Sequence, residues 1–167
     1  MTWRGSSSLQ DRVFSCLVYT LPLVEVSFFG MFLFAEVPPI GVAYNTVLFP
    51  FLLIYGVLSN FVPFFGLILF FALFFLVVRN EKLSHFLRFN TMQSLLLSIF
   101  TTLCQLVLQL LGLVIPTVGS EPLLVTVLFN LIFLAIVSSA VYSIFQCLRG
   151  MYAEIPVISE AAYAQVR

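Results

Sequence analysis

Few residues in this 167-residue chain are equipped for chemistry. It holds one histidine, three cysteines, seven acidic and seven basic residues. A single ionisable group, Glu25, lies well inside a long apolar run. An acidic side chain at that depth is expensive and is a functional candidate by default. It can serve a proton or a substrate, or it can order packing through a hydrogen bond. Pro22 lies one turn earlier; it has no N–H, so it frees a backbone carbonyl and distorts the helix. Ser15 and Tyr19 continue the Glu25 face. His85 and Arg88 lie one turn apart at the entrance of a later apolar run, where they read as interfacial anchors. A lone histidine with no second histidine or cysteine near it does not make a metal site. Cys16, Cys104 and Cys147 are widely spaced in apolar surroundings and read as small buried hydrophobes. No H-E-x-x-H, G-x-S-x-G or Gly-rich phosphate loop appears, so neither an enzyme nor a bound cofactor is expected.

The elements that must carry these residues are set by composition. Hydrophobic residues make up 62% of the chain and charged residues 8%. Soluble domains run near 45–50% and about 25%, so an ordinary soluble enzyme, a disordered chain and a nucleic-acid binder are all excluded. The expectation is an all-α polytopic membrane protein, with membrane lipids as its surroundings and no nucleic-acid partner. A spanning helix needs about 20 apolar residues, and the chain has room for four. Spans are expected over about 13–34, 61–78, 89–115 and 122–146. The apolar piece at about 47–59, with Pro50 and Gly56, is too short to cross. It reads as an interfacial or re-entrant helix between the first and second spans. A polar tail covers 149–167. On this layout Arg4, Arg12, Arg79, Lys82, Arg88, Arg149 and Arg167 all fall on one side. The opposite loops hold no Lys or Arg, and the positive-inside rule places both termini on the side of the cytoplasm or its organelle equivalent.

The third span carries a polar stripe: Asn90, Ser94, Ser98, Thr101, Thr102, Gln105, Gln109 and Gly112, mostly at steps of three or four. Such a face seeks a partner helix or a wet cavity. It can glue a bundle or line a path for a substrate. Ala135, Ser139 and Ser143 in the fourth span give a small-residue seam that permits close helix approach. The phenylalanines of the second span, Phe70 with Phe74 and Phe71 with Phe75, read as packing and lipid contact.

Two strings carry a family resemblance. One is Arg79-Asn80 followed by His85-Phe86-Leu87-Arg88-Phe89-Asn90-Thr91-Met92-Gln93. The other runs from Gly150-Met151-Tyr152-Ala153-Glu154-Ile155-Pro156 to Ala162. With Tyr19-Thr20-Leu21-Pro22-Leu23, they resemble the twenty-kilodalton inner-envelope translocon subunit family of chloroplasts, over Asp11 to Val166. Asn90, Gln93, Tyr152, Glu154 and Pro156 are family markers on this basis. The tail departs from the pattern at Met151, where a basic residue is common. The resemblance implies a four-helix protein of the plastid inner envelope or a cyanobacterial membrane. It implies a role in preprotein translocation, with other translocon subunits, copies of itself and unfolded preproteins as partners. The lack of a transit peptide points to a cyanobacterial or plastid-encoded origin. The alternatives are a non-conducting scaffold or assembly factor, and a small-solute transporter, although the two halves show no internal repeat.

Overall fold

The computed structural model describes residues 8–113 and 123–166. Expectations about Arg4, Arg167, the end of the third span at 115 and the start of the fourth at 122 fall outside the described residues. The described chain is helical, with no strand. We number its helices α1 (Leu9–Glu36), α2 (Pro38–Phe61), α3 (Phe65–Val78), α4 (His85–Leu110), α5 (Leu123–Leu148) and α6 (Ile158–Gln165). Four of these, α1, α2, α4 and α5, are long and apolar enough to cross a membrane, and α3 is a shorter apolar helix.

The count agrees with expectation, but the boundaries move. The piece expected at 47–59 is the second half of the 24-residue α2, with Pro50 inside it. The span expected over 61–78 is the shorter α3, made of nine α-helical residues and a five-residue π turn. Proline sets the break between them. Val62, before Pro63, is extended, as the residue before proline prefers, and Phe64 turns left-handed with φ 57°. Pro63 therefore lies in the break between α2 and α3. At its start α4 is capped by Ser84, whose hydroxyl accepts from the Leu87 N–H. At its end Gly112, φ +68°, donates its N–H to the Gln109 carbonyl, a glycine C-terminal stop.

Five of the basic residues gather at one end of the bundle. The Arg12 guanidinium packs against Gly150, beside Arg149. Arg88 Nε donates to the Val78 carbonyl at 2.9 Å, beside Arg79 and the turn that carries Lys82. A Cβ on Gly150 would lie 2.8 Å from the Arg12 guanidinium, and its φ of +72° also favours glycine. We call this the basic end. From there α1 rises to the far end. Tyr44 and Tyr55 of α2 bond to Leu23 and Glu25 of α1. Eleven residues of α2 rise roughly 16 Å, whereas two residues of α1 rise about 3 Å. Helix α2 must therefore cross α1 obliquely. It leaves α3 to complete the return to the basic end.

Helix α1 is not regular, and its irregularity places its neighbours. Pro22 leaves the Val18 carbonyl without a donor, and Ser94 of α4 donates its hydroxyl to that oxygen at 2.7 Å. Four residues, Ser27–Gly30, form a 3-10 turn. The Ser27 N–H bonds to Val24 instead of Leu23, and the Tyr44 hydroxyl donates to the vacated Leu23 carbonyl. Hydrocarbon supplies no donor for such groups. Ser94→Ala should lower stability in detergent by about 1 kcal/mol, within the range of interhelical hydrogen bonds in membranes. Adding Pro22→Ala should recover part of the loss, because the carbonyl regains its own N–H. Thermal unfolding of the four chains of the double-mutant cycle tests this; simple additivity would refute it.

Candidate functional site

The third-span polar stripe is divided by the fold. On α4, Phe86 to Ser98 are buried nearly all round, with Arg88 and Leu96 half-buried. Past Ser98 the burial narrows to Thr101 and Leu108, while Thr102, Gln105 and Gln109 are exposed. Sequence alone could not place that division, because the residue types continue unchanged across it.

The buried half holds a hub on Asn90. Its Oδ1 accepts from the Tyr19 hydroxyl and the Cys147 thiol, both at 3.1 Å, and its amide nitrogen donates to the Phe86 carbonyl at 2.8 Å. Tyr19, Asn90 and Cys147 are fully buried, so one side chain ties α1, α4 and α5 together. Cys147 is a thiol donor in this network, a role that composition did not suggest. Cys16 donates weakly to the Ile144 carbonyl at 3.7 Å. One turn along, Gln93 is also fully buried, yet neither its Nε2 nor its Oε1 has a hydrogen-bond partner among the described residues. The small seam expected on α5 is buried only in part: Ser143 is buried, Ser139 half-buried and Ala135 exposed. The buried face is Val125, Phe129, Phe133, Ile136, Ala140, Ser143 and Cys147. Phenylalanines explain the change. Phe129 packs against Phe29 and Phe32, and Phe133 packs against Phe34 and Tyr44.

At the basic end the tail folds back onto α4. The Tyr152 hydroxyl and His85 Nδ1 are 3.0 Å apart, and the Tyr152 ring meets Phe86 and Phe89 edge-on. Tyr163 of α6 lies 4.4 Å from Phe89, centroid to centroid. Ser159 fastens the turn around Pro156: its hydroxyl accepts from the Ile155 N–H and donates to the Ala153 carbonyl. Glu154 and Pro156 themselves are exposed. Thus the two marker strings, 67 residues apart at His85 and Tyr152, form one aromatic contact.

Glu25 sits apart from both groups. Its Oε1 accepts from the Tyr55 hydroxyl at 3.3 Å, and its Oε2 is buried with no hydrogen-bond partner within ordinary distance among the described residues. Gly66 makes room for this pair: a Cβ there would meet the Tyr55 hydroxyl at 2.9 Å. Glu25, Tyr55 and Gly66 form part of the wall of a cavity of about 650 Å³, whose lining also includes Ser98, Thr101 and Gln105 of α4. The cavity is mostly apolar and is lined by α1, α2, α3 and α4. Among the described residues no group of three His, Cys, Asp or Glu could hold a metal ion. Sequence reasoning reached Glu25 and Gln105 but missed Tyr55 and Gly66, whose types carry no signal of the pairing.

These features define a multi-pass helical membrane protein with a cavity at the level of its one acidic core residue. Comparison with known proteins adds its kinship. Residues 8–162 match the family described as chloroplast import apparatus Tic20-like. A Tic20 family protein of Synechocystis is 40% identical over all of this chain and 99% of its own length. The Tic20 family protein Ycf60 of Porphyra purpurea is 31% identical over 99% of this chain and 80% of its own. Protein TIC 20-v, chloroplastic, of Arabidopsis thaliana is 30% identical over 98% and 75%. The chain belongs to the Tic20-like family.

Two buried amides on the same helix should respond oppositely to removal. Asn90→Leu strands the Tyr19 hydroxyl and the Cys147 thiol, and should destabilise by about 1–3 kcal/mol. Gln93→Met removes an amide that no described residue satisfies, and should leave the melting temperature unchanged or raise it. Thermal melts of the two variants in detergent decide. A large loss on Gln93→Met would show a partner, such as a buried water, that Gln93 needs.

Proposed function

We propose that this chain is a membrane subunit of a protein translocon in a cyanobacterial or plastid membrane, where it contributes to moving preproteins. The observation that carries the reading is the match to the chloroplast import apparatus family along residues 8–162, with full-length likeness to a cyanobacterial relative. The geometry fits a subunit more readily than a complete pore. Four helices of spanning length are too few to enclose a channel wide enough for a polypeptide. A passenger or a neighbouring subunit would meet the cavity that Glu25 and Gln105 help to line. The basic end faces the cytoplasm or stroma by the positive-inside rule. There the tail and the His85 turn would meet soluble partners. No residue is assigned a catalytic role.

One observation favours a second reading, a non-conducting scaffold. Glu25 is engaged by Tyr55, as a packing group would be. Glu25→Gln keeps the shape and the acceptor. It should leave abundance and passenger transit unchanged if Glu25 only joins helices, and should abolish transit at normal abundance if its charge or proton is used.

A photo-reactive residue in place of Leu52, on the cavity wall, tests the main reading in native membranes. Expected products are adducts with passenger chains arrested in transit and with other translocon subunits. Adducts confined to the protein's own helices, or to one stable complex unrelated to passengers, would refute it.

A further inference from the structure

Cys16 and Cys147 meet across the seam between α1 and α5. The Cys16 Sγ lies 3.7 Å from the Ile144 carbonyl, one turn of α5 before Cys147. The thiols of Cys16 and Cys147 interact there. Small, fully buried residues lie beside them on both helices, Ser15 on α1 and Ser143 on α5. Small residues permit close helix approach. Short side chains on closely packed helices suit a disulfide, whose Cβ atoms stand only about 4 Å apart. The two sulfurs differ in access. Cys147 is fully buried, with its S–H on Asn90, whereas Cys16 is half-buried. Cys16 also follows Arg12 by one turn, about 6 Å, so it sits just inside the boundary at the basic end. Cys104 is the contrast. On α4 it lies roughly 21 Å beyond Asn90, toward the far end and away from both.

We propose that Cys16 and Cys147 are a redox-active pair, an oxidation site that closes to a disulfide and locks α1 to α5. The oxidant is a small neutral peroxide, which enters an apolar boundary more readily than a charged oxidant. The half-buried Cys16 sulfur attacks one oxygen of hydrogen peroxide. The O–O bond breaks, the thiol proton leaves with the departing hydroxide as water, and Cys16 becomes a sulfenic acid. The Cys147 sulfur then attacks the Cys16 sulfur. The S–O bond breaks, the S–S bond forms, and the hydroxyl departs with the Cys147 proton as a second water. Two thiols give up two electrons, and one peroxide becomes two waters. The bridge withdraws the Cys147 S–H from Asn90 Oδ1, which keeps its bond from Tyr19. In exchange it fastens the start of the chain to its last spanning helix, so the α1–α5 seam can no longer part. The inference does not depend on whether the chain moves polypeptide.

Peroxide treatment of native membranes tests this. The unaltered chain is then denatured, alkylated with a maleimide and mapped by mass spectrometry. One peptide pair joined through Cys16 and Cys147 should appear, with Cys104 alkylated. A phosphine reductant should return all three thiols. The bridged form should melt at a higher temperature than the reduced form. Cys147→Ser should stop the reaction at a Cys16 sulfenic acid, trapped by dimedone, and Cys16→Ser should leave the Cys147 thiol unoxidised. Three results in the unaltered chain would overturn the proposal, whatever the variants do. They are three alkylated thiols in chains whose methionines are oxidised, a bridge that includes Cys104 or a second molecule, or Cys16 oxidised to sulfinic acid with Cys147 still a thiol.

Discussion

A backbone carbonyl without a donor costs several kcal/mol in hydrocarbon, and α1 creates two of them within six residues. Pro22 vacates the Val18 oxygen, and the 3-10 turn that follows vacates that of Leu23. Each is answered by a hydroxyl from another helix, Ser94 of α4 and Tyr44 of α2. In an aqueous core, water could take either place. Here the two hydroxyls fix where α4 and α2 lie against α1. The oblique course of α2 follows, since its second tyrosine must still reach Glu25 from the same helix. The cavity exists because α2 crosses α1 where it would otherwise run alongside.

Much of this was legible in the sequence, and the limits have physical reasons. Composition established the all-helical membrane class. Pro22 announced a freed carbonyl. The division of labour between 38–61 and 61–78 was not legible, because both stretches are apolar and hydropathy measures length but not tilt. On α5 the small residues looked like the packing face, but only Ser143 of that seam is fully buried, and Phe129 and Phe133 fill much of the interface. The family strings around His85 and Tyr152 marked the chain's kinship, while their contact across the basic end required the fold to bring them together.

The two halves of the bundle differ in completeness. Toward the basic end, α1, α4, α5 and the tail satisfy one another around Asn90, Tyr152 and the Arg12–Gly150 contact. Toward the far end, α2 and the outer half of α4 show apolar and amide surface together. A helix buried on every side suits a closed core, and a polar line left open at membrane depth suits an assembly. The chain contains both, end to end on α4.

The Asn90 hub has a consequence for biosynthesis. Its ligands come from residues 19, 90 and 147, near the start, the middle and the end of the chain. A ribosome delivers the first two long before the third. Until α5 enters the bilayer, the Asn90 amide lacks the Cys147 thiol, and α4 lacks one of its walls. The tail that seals the basic end is made later still. The nascent protein must therefore dwell as an unfinished bundle with polar groups facing lipid. The membrane insertase, or the lipid–water boundary, has to shelter them until synthesis ends.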